Sequence, residues 1–218
     1  DLIKNIDIKL KNGKGIQTVA IVGTGGIGKT TLARLYLEKQ KQKSKVVWEI
    51  NAESIESLKE AFNSLSNALA RTDEDKRILM GLKALTNHKE MEDGIIDFVK
   101  EKLRLKPHWV LVYDNVENLT DIQKYLPQDP DKCGEGQIIL TTRDGNIEYN
   151  KHVNHTIQIG ELDQGQKLSL FLKIMNRGNK NYNDFSPLQS TKSSNVDETD
   201  VQRFPSGRES CRERGKSA

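Results

Sequence analysis

The chain has 218 residues, of which 35% are hydrophobic and 30% are charged, and its formal net charge is +3. This length fits one domain of ordinary size with some additional chain. No apolar run approaches the ~20 residues that a membrane span requires, and no secretory signal pattern is present, so we expect a cytoplasmic protein that does not enter membranes.

Two further classes of function find no support in the composition. Cys133 and Cys211 lie in polar segments and have neither metal-site spacing nor the numbers of a disulfide framework, which predicts two ordinary thiols. A lysine-rich segment at 39–45 lacks interleaved aromatic residues, as is typical of a solvated surface. We therefore expect neither a cysteine metal site nor a nucleic-acid partner.

The strongest functional signal lies between a predicted strand and a predicted helix. Residues 23–31 read GTGGIGKTT and fit the phosphate-binding pattern G-x-x-x-x-G-K-[ST]. An apolar, β-branched run at 18–22 predicts a buried strand before the loop. Apolar residues at helical spacing, Leu32, Leu35 and Tyr36, predict one face of a helix after it. The alternative, a glycine-rich turn without a ligand, is disfavoured because both flanks match.

The residue types of this loop suit phosphate binding. Backbone N–H groups at the start of a helix attract anions, and glycine allows the positive φ angles and close backbone approach that the loop needs. Lys29 would contact the β- and γ-phosphates, the Thr30 hydroxyl would bind Mg²⁺, and Thr31 would lie beside the α-phosphate. The predicted nucleotide-binding residues are Gly23, Thr24, Gly25, Gly26, Ile27, Gly28, Lys29, Thr30 and Thr31.

A second strand and three helices follow in the predicted order. The strand at 45–50 places Val46, Trp48 and Ile50 on one face, and Ser54 is a suitable N-cap for the next helix. Apolar residues then recur every three or four positions in three segments, which predicts three core-facing stripes. The stripes are Ile55, Leu58, Phe62, Leu65 and Leu69, then Ile78, Leu82 and Leu85, then Ile95, Phe98, Val99 and Leu103.

The second functional signal is a carboxylate at the end of an apolar strand. Pro107 ends the last of these helices, and the run at 109–113 predicts a buried strand followed by Asp114. Ligands of parallel α/β sheets collect at the carboxyl ends of the strands. We therefore predict that Asp114 acts in catalysis and, together with Thr30, holds Mg²⁺. The alternative is an aspartate that caps the next turn.

A third strand at 137–142 ends in Arg143, which brings a guanidinium to the same edge of the sheet. We predict that Arg143 senses the γ-phosphate and is the second catalytic residue, whereas an isolated arginine would form a surface ion pair. A further strand at 155–159 and a helix at 162–175 complete the predicted elements. The expected strands are 17–22, 45–50, 108–113, 137–142 and 155–159.

In chain order, the segments VAIVGTGGIGKTTLA, VVWEINAES, HWVLVYDNVEN and GQIILTTRD resemble the NB-ARC domain of the STAND class of signal-transduction ATPases. This class includes plant immune receptors, apoptosome scaffolds and bacterial relatives. The resemblance covers roughly residues 1–176. It implies an α/β fold, a three-layer P-loop NTPase sandwich with a mainly parallel central sheet. It also implies a switch that ADP keeps closed and that ATP opens for oligomerisation.

The chain differs from many members of this family at the position directly after the strand-terminal aspartate, where those members have a second acidic residue. Here that position is Asn115, whose amide cannot accept the proton of an attacking water. Glu117 is the next carboxylate along the chain. We therefore predict an ATP- and ADP-binding regulatory module with slow or no hydrolysis, a weak ATPase at most. The alternatives are an active P-loop ATPase or small-molecule kinase, and a truncated, non-functional remnant.

The residues say less about which nucleobase is bound and about the rest of the chain. No Asn-Lys-x-Asp pattern is present, so adenine is favoured over guanine through the resemblance. The family's upstream Gly-Arg-Glu segment and its following helical subdomains are absent, so we expect a fragment whose protein partners bind through flanking domains. Residues 177–218 are polar and aperiodic, which predicts a disordered tail that is a linker, a docking peptide or a frameshift product.

Overall fold

The computed structural model describes residues 2–11, 13–161 and 165 of the chain. All of these except Gly165 lie in the first of the two units into which internal contacts divide the chain, residues 1–164. Apart from Gly165, the helix predicted at 162–175 and the tail predicted from 177, with Cys211, lie outside the described residues. Among the described residues, no helix combines the length and the apolar character needed to cross a bilayer.

One or more helices separate each strand from the next in the described part of the chain. The helices are α1 (Leu2–Lys11), α2 (Lys29–Gln40), α3 (Ile55–Leu69), α4 (Asp73–Lys83), α5 (His88–Arg104), α6 (Leu119–Ile122) and α7 (Pro130–Cys133). The strands are β1 (Ile16–Val22), β2 (Val47–Asn51), β3 (Trp109–Val116), β4 (Gly136–Thr142) and β5 (His155–Gln158). Short 3₁₀ helices span Gln123–Tyr125 and Gly145–Tyr149.

The five strands form one parallel sheet in the order β2-β3-β4-β1-β5. Their carboxyl ends therefore meet at one edge of the sheet, as a parallel arrangement requires. Strand β4 lies between β1 and β3, so the ends of these three strands are neighbours although the chain separates them widely. The predicted fold class is confirmed, and all strand pairs in the described residues are parallel.

Apolar runs form the central strands because helices cover both faces of the sheet. Alternate residues of one strand enter two different cores: Leu111 and Tyr113 pack on one face, and Val110 and Val112 pack on the other. The first core is closed mainly by α3 and α5, and the second by α1 and α2. This burial on both faces explains why the run at 109–113 has no polar side.

Helix α3 begins where the sequence predicts. The Ser54 hydroxyl accepts a hydrogen bond from the Ser57 backbone N–H at 3.1 Å, and the Ser57 hydroxyl accepts one from the Ser54 N–H at 3.0 Å. Two otherwise unpaired N–H groups of the first turn are thereby satisfied, which is the reciprocal capping arrangement. The cap fixes the point at which the chain leaves the carboxyl end of β2.

The predicted stripes on two helices are partly wrong. Leu35 is 41% exposed, and Ile78 and Leu85 are 43% and 39% exposed. Helix α4 instead buries Leu79, which packs in a cluster with Phe98. The spacing of three to four residues fixes a helical period, but the rotation of the helix about its axis depends on the neighbour that covers it.

Two other features differ from expectation. Helix α1 has no predicted counterpart, yet its Ile6 and Leu10 are fully buried against β1 and α2. The spacing of Ile6 and Leu10 is a helical signal. Cys133 is buried rather than placed in a polar loop, and burial is the largest cause of its raised thiol pKa. The short helix α7 folds it inward.

We predict that Gly136→Ala destabilises the protein by about 1–3 kcal/mol through overpacking. Trp109 is fully buried and its indole N–H donates to the Cys133 carbonyl at 2.9 Å, so its ring is held in place. A Cβ on Gly136 would lie only 2.2 Å from that ring. Chemical denaturation would measure this decrease in the free energy of unfolding.

The matched control is Gly81→Ala in α4. Gly81 is exposed in a helix interior and a Cβ there would meet nothing within 4 Å. Alanine should therefore stabilise the helix by up to about 1 kcal/mol. An equal loss of stability in the two variants would contradict the Trp109 contact as the cause.

Candidate functional site

The loop between β1 and α2 has the backbone shape of an anion cradle. Gly26 and Gly28 have φ angles of +74° and +101°, and a Cβ on either would meet no atom within 4 Å. Gly28 is the N-cap of α2, where no side chain caps the helix and no acidic residue occupies the first turn. The first N–H groups of this 12-residue helix therefore face the loop without a side-chain cap and without an acidic residue of the helix's own first turn.

Lys29 closes the loop from inside. Its buried ammonium donates to the carbonyl oxygens of Gly23 and Thr24, both at 2.8 Å. Burial lowers the pKa of Lys29, the nearby Arg143 guanidinium lowers it further, and Asp114 opposes both. The two carbonyl contacts hold the Lys29 side-chain nitrogen at the start of the helix, where a phosphate oxygen would be a stronger acceptor than either carbonyl.

The predicted metal-binding pair is in direct contact. The Thr30 hydroxyl donates one bifurcated hydrogen bond to the Asp114 carboxylate, at 2.8 Å to Oδ1 and 3.0 Å to Oδ2. This contact joins α2 to the end of β3 across 84 residues of sequence. Because the hydroxyl proton points to Asp114, the lone pairs of Thr30 Oγ1 are free to face a cation. These hard oxygen donors fit Mg²⁺.

A bulge at the end of β3 turns successive side chains in different directions. The pairing of β3 with β4 shifts register between Tyr113 and Val116. Within this stretch Asn115 has a φ angle of +62°, a conformation that asparagine tolerates better than most residues. Asp114 is therefore buried against Thr30, whereas Asn115 lines an open cavity. The strand also extends past the predicted end at 113 because pairing resumes after the bulge.

That cavity lies beside the loop and has a volume of about 410 Å³. It is lined by Lys29, Glu53, Asn115, Val116, Glu117, Thr142, Arg143 and Asp144. Arg143 is exposed and approaches the loop, since a Cβ on Gly25 would lie 3.3 Å from its Nη2 atom. The cavity is large enough to admit a phosphate group, and both Lys29 and Arg143 line it.

The remaining predicted residues occupy the loop as expected from their order. Thr24 and Gly25 are exposed, Ile27 packs close to Gly23, and Thr31 is exposed in the first turn of α2. The structure thus brings together the predicted loop, Asp114 and Arg143. Sequence reasoning missed Glu53, whose backbone N–H is bonded to Asn51 just after β2. Its place at a strand's carboxyl end is the signal that could have found it.

We expect Gly28→Ala to destabilise the protein by about 1–2 kcal/mol and to weaken nucleotide binding. A non-glycine residue at a φ angle of +101° is strained, and relief of this strain would move the N–H groups that form the cradle. Thermal unfolding and titration with a fluorescent nucleotide would measure both effects. Gly145→Ala is the control, because Gly145 is exposed with open space around it and its φ angle is not positive. Equal losses in both variants would contradict the role of the Gly28 conformation.

A family model described as the NB-ARC domain matches residues 1–181. TMV resistance protein N of Nicotiana glutinosa is 29% identical over 175 residues, which is 78% of this chain and 14% of that protein. Disease resistance protein CHS1 of Arabidopsis thaliana is 27% identical over 170 residues, 77% of this chain and 36% of that protein. The chain thus spans about a seventh to about a third of these relatives.

Solved structures show more distant likeness. A STAND protein with a tetratricopeptide repeat sensor from Pyrococcus horikoshii is 20% identical with a TM-score of 0.46, over 81% of this chain and 25% of that one. The Aeropyrum pernix ORC2 protein in its ADP form is 15% identical with a TM-score of 0.46, over 81% of this chain and 50% of that one.

Proposed function

The chain belongs to the NB-ARC domain family, as the match over residues 1–181 shows, and from this premise we propose that it binds ADP and ATP as the regulatory module of a STAND-type signalling switch. In this proposal hydrolysis is slow or absent, and the identity of the bound nucleotide carries the signal. The resemblance predicted from the motifs is confirmed at the level of the family.

One observation carries the proposal: the hydrogen bonds from Thr30 to Asp114 at the mouth of the loop. They join two residues from distant parts of the chain, one from the loop that would hold phosphate and one from the strand end that would hold the metal. A strand-terminal aspartate that merely capped the next turn would bond to the residues that follow it. Asp114 instead bonds to Thr30 in the first turn of α2, beside the Lys29 ammonium.

The roles of the site residues follow from their positions. Lys29 and the N–H groups of the first turn of α2 would hold the β- and γ-phosphates. Thr30 and Asp114 would hold Mg²⁺, which when bound would neutralise phosphate charge. Arg143, which lines the cavity close to Gly25 of the loop, would contact the γ-phosphate and distinguish ATP from ADP.

Slow hydrolysis is supported by the side chain that faces the cavity after Asp114. The Asn115 amide lacks the basicity to take a proton from water. Glu53 and Glu117 line the same cavity and are the observation that favours the second candidate, an active ATPase. In that case one of these carboxylates would serve as the base.

We further propose that the chain acts in the cytoplasm as part of a longer protein whose other regions bind partners and oligomerise. The relatives support this, because the matched segment is 14% of TMV resistance protein N and 36% of CHS1. The names of both relatives describe resistance to disease or virus. Signal transduction in this chain would then consist of a change of nucleotide that other regions detect.

Equilibrium binding of ADP, ATP and GTP, with and without Mg²⁺, tests the proposal together with a phosphate-release assay. We expect tighter binding of adenine nucleotides than of GTP, and turnover below about 1 s⁻¹, the lower end of ordinary enzymes. Faster release of phosphate would favour the active ATPase. No binding of any nucleotide would favour a remnant that has lost its function.

A further inference from the structure

Thr141, near the end of β4, makes two contacts that the proposed function does not use. Its hydroxyl donates to Asp114 Oδ1 at 2.5 Å and accepts the backbone N–H of Asn115 at 3.0 Å. Its side chain is fully buried. A hydroxyl has one proton to donate, so the proton of Thr141 is committed to Asp114 while a lone pair takes the Asn115 N–H.

The hydrogen bond from the Asn115 N–H to Thr141 stabilises the backbone bulge at the end of β3. The regular pairing between β3 and β4 is interrupted between Tyr113 and Val116, which leaves the N–H of Asn115 outside the backbone ladder. The Thr141 side chain supplies the acceptor that the ladder does not. The same hydroxyl therefore fixes both the carboxylate of residue 114 and the backbone of residue 115.

Because of the hydrogen bond from Thr141, the two carboxylate oxygens of Asp114 accept different numbers of hydrogen bonds. Oδ1 accepts from Thr141 and from Thr30, whereas Oδ2 accepts from Thr30 at the longer distance of 3.0 Å. The bond from Thr141 opposes rotation of the carboxylate about its Cβ–Cγ bond. Oδ2 is consequently the oxygen with more free acceptor capacity.

We propose that Thr141 is a positioning residue that sets the Mg²⁺ affinity of the nucleotide complex through Asp114 and aims residue 115 into the cavity. This inference rests on the proposed function. An ordinary buried threonine would satisfy its hydroxyl on the backbone of its own strand. Thr141 instead bonds to Asn115 and Asp114, which precede it by 26 and 27 positions in the chain and belong to the candidate site.

The test compares Thr141→Val, which keeps the shape and loses the hydroxyl, with Thr141→Ser, which keeps the hydroxyl. The first measurement is the ratio of the ATP dissociation constants in EDTA and in Mg²⁺. Residues that orient a metal ligand typically contribute 10- to 100-fold to metal affinity. We expect Mg²⁺ to strengthen ATP binding to the original protein, valine to reduce this gain about tenfold or more, and serine to restore it.

The second measurement needs no nucleotide. Hydrogen exchange of the Asn115 amide should be slow in the original protein and in Thr141→Ser, and faster in Thr141→Val, because valine removes the acceptor. Thr18→Val is the matched control, since Thr18 is also buried in a central strand but lies near the opposite end of β1. The control should leave both measurements unchanged. Thr141→Ala, which creates no steric conflict, replaces valine if that variant does not fold.

The outcomes separate this inference from the function on which it rests. If the original protein binds ATP with a Mg²⁺ gain and the valine and alanine variants keep that gain, the positioning role is wrong and the proposed function stands. Unchanged exchange of Asn115 in these variants would also overturn it. If the original protein binds no nucleotide, the proposed function fails and the Mg²⁺ role of Thr141 fails with it.

Discussion

Lys29→Ala is expected to weaken ADP and ATP binding about a hundredfold or more, the largest effect of a single substitution on this site. Hydrogen bonds to charged groups contribute about 1.5–3 kcal/mol each, and every 1.4 kcal/mol corresponds to about tenfold in affinity. The Lys29 ammonium lies buried at the start of α2, where it bonds to two loop carbonyls. It can turn to a phosphate with little movement, so its removal takes away charge that is already in place.

Two control variants separate lost charge from a damaged loop. Lys29→Met keeps most of the side-chain volume and should bind nucleotide as poorly as alanine. Lys14→Ala removes an exposed lysine before β1 and should bind normally. Thermal unfolding without nucleotide establishes that each variant is folded. Binding by Lys29→Ala within about threefold of the original protein, less than 1 kcal/mol, would contradict the phosphate site.

Asn115→Asp is expected to raise the rate of ATP hydrolysis by a factor of about 10²–10⁴, the range that a positioned general base contributes. Asparagine and aspartate both tolerate the positive φ angle of this residue, so the exchange should leave the bulge intact. It places a carboxylate in the cavity beside Lys29 and Arg143, where the present amide cannot accept a proton. Single-turnover phosphate release with saturating ATP and Mg²⁺ measures the change.

Asn115→Gly is the matched control for this substitution. Glycine accepts the same backbone conformation without a side chain, and hydrolysis should stay at the original rate. Glu53→Gln and Glu117→Gln test the two carboxylates already in the cavity. If the original protein hydrolyses ATP quickly and one of these two variants abolishes the reaction, that glutamate is the base, and Asn115 does not limit the rate of hydrolysis.

Local chemistry accounts for what could be predicted of the fold. Apolar runs identified the central strands, since a strand covered by helices on both faces has no polar side, whereas alternate apolar residues on one face identified the strand at 45–50. The Ser54 cap was predictable because its partner, Ser57, is three residues away. The rotation of α4 about its own axis was not predictable, because contacts with α5 bury Leu79 rather than Ile78.

The candidate site also has some features that local sequence patterns predict and others that they do not. By itself, the sequence determined the phosphate loop, the aspartate and arginine that end two strands, and the family, because each depends on residue types at short, fixed spacing. Only the tertiary structure decided that Thr30 bonds to Asp114, that Thr141 supports it, and that Glu53 shares the cavity. These contacts arise from the lateral order of the strands and from a bulge in β3. Both depend on pairing between distant segments, which local preferences do not encode.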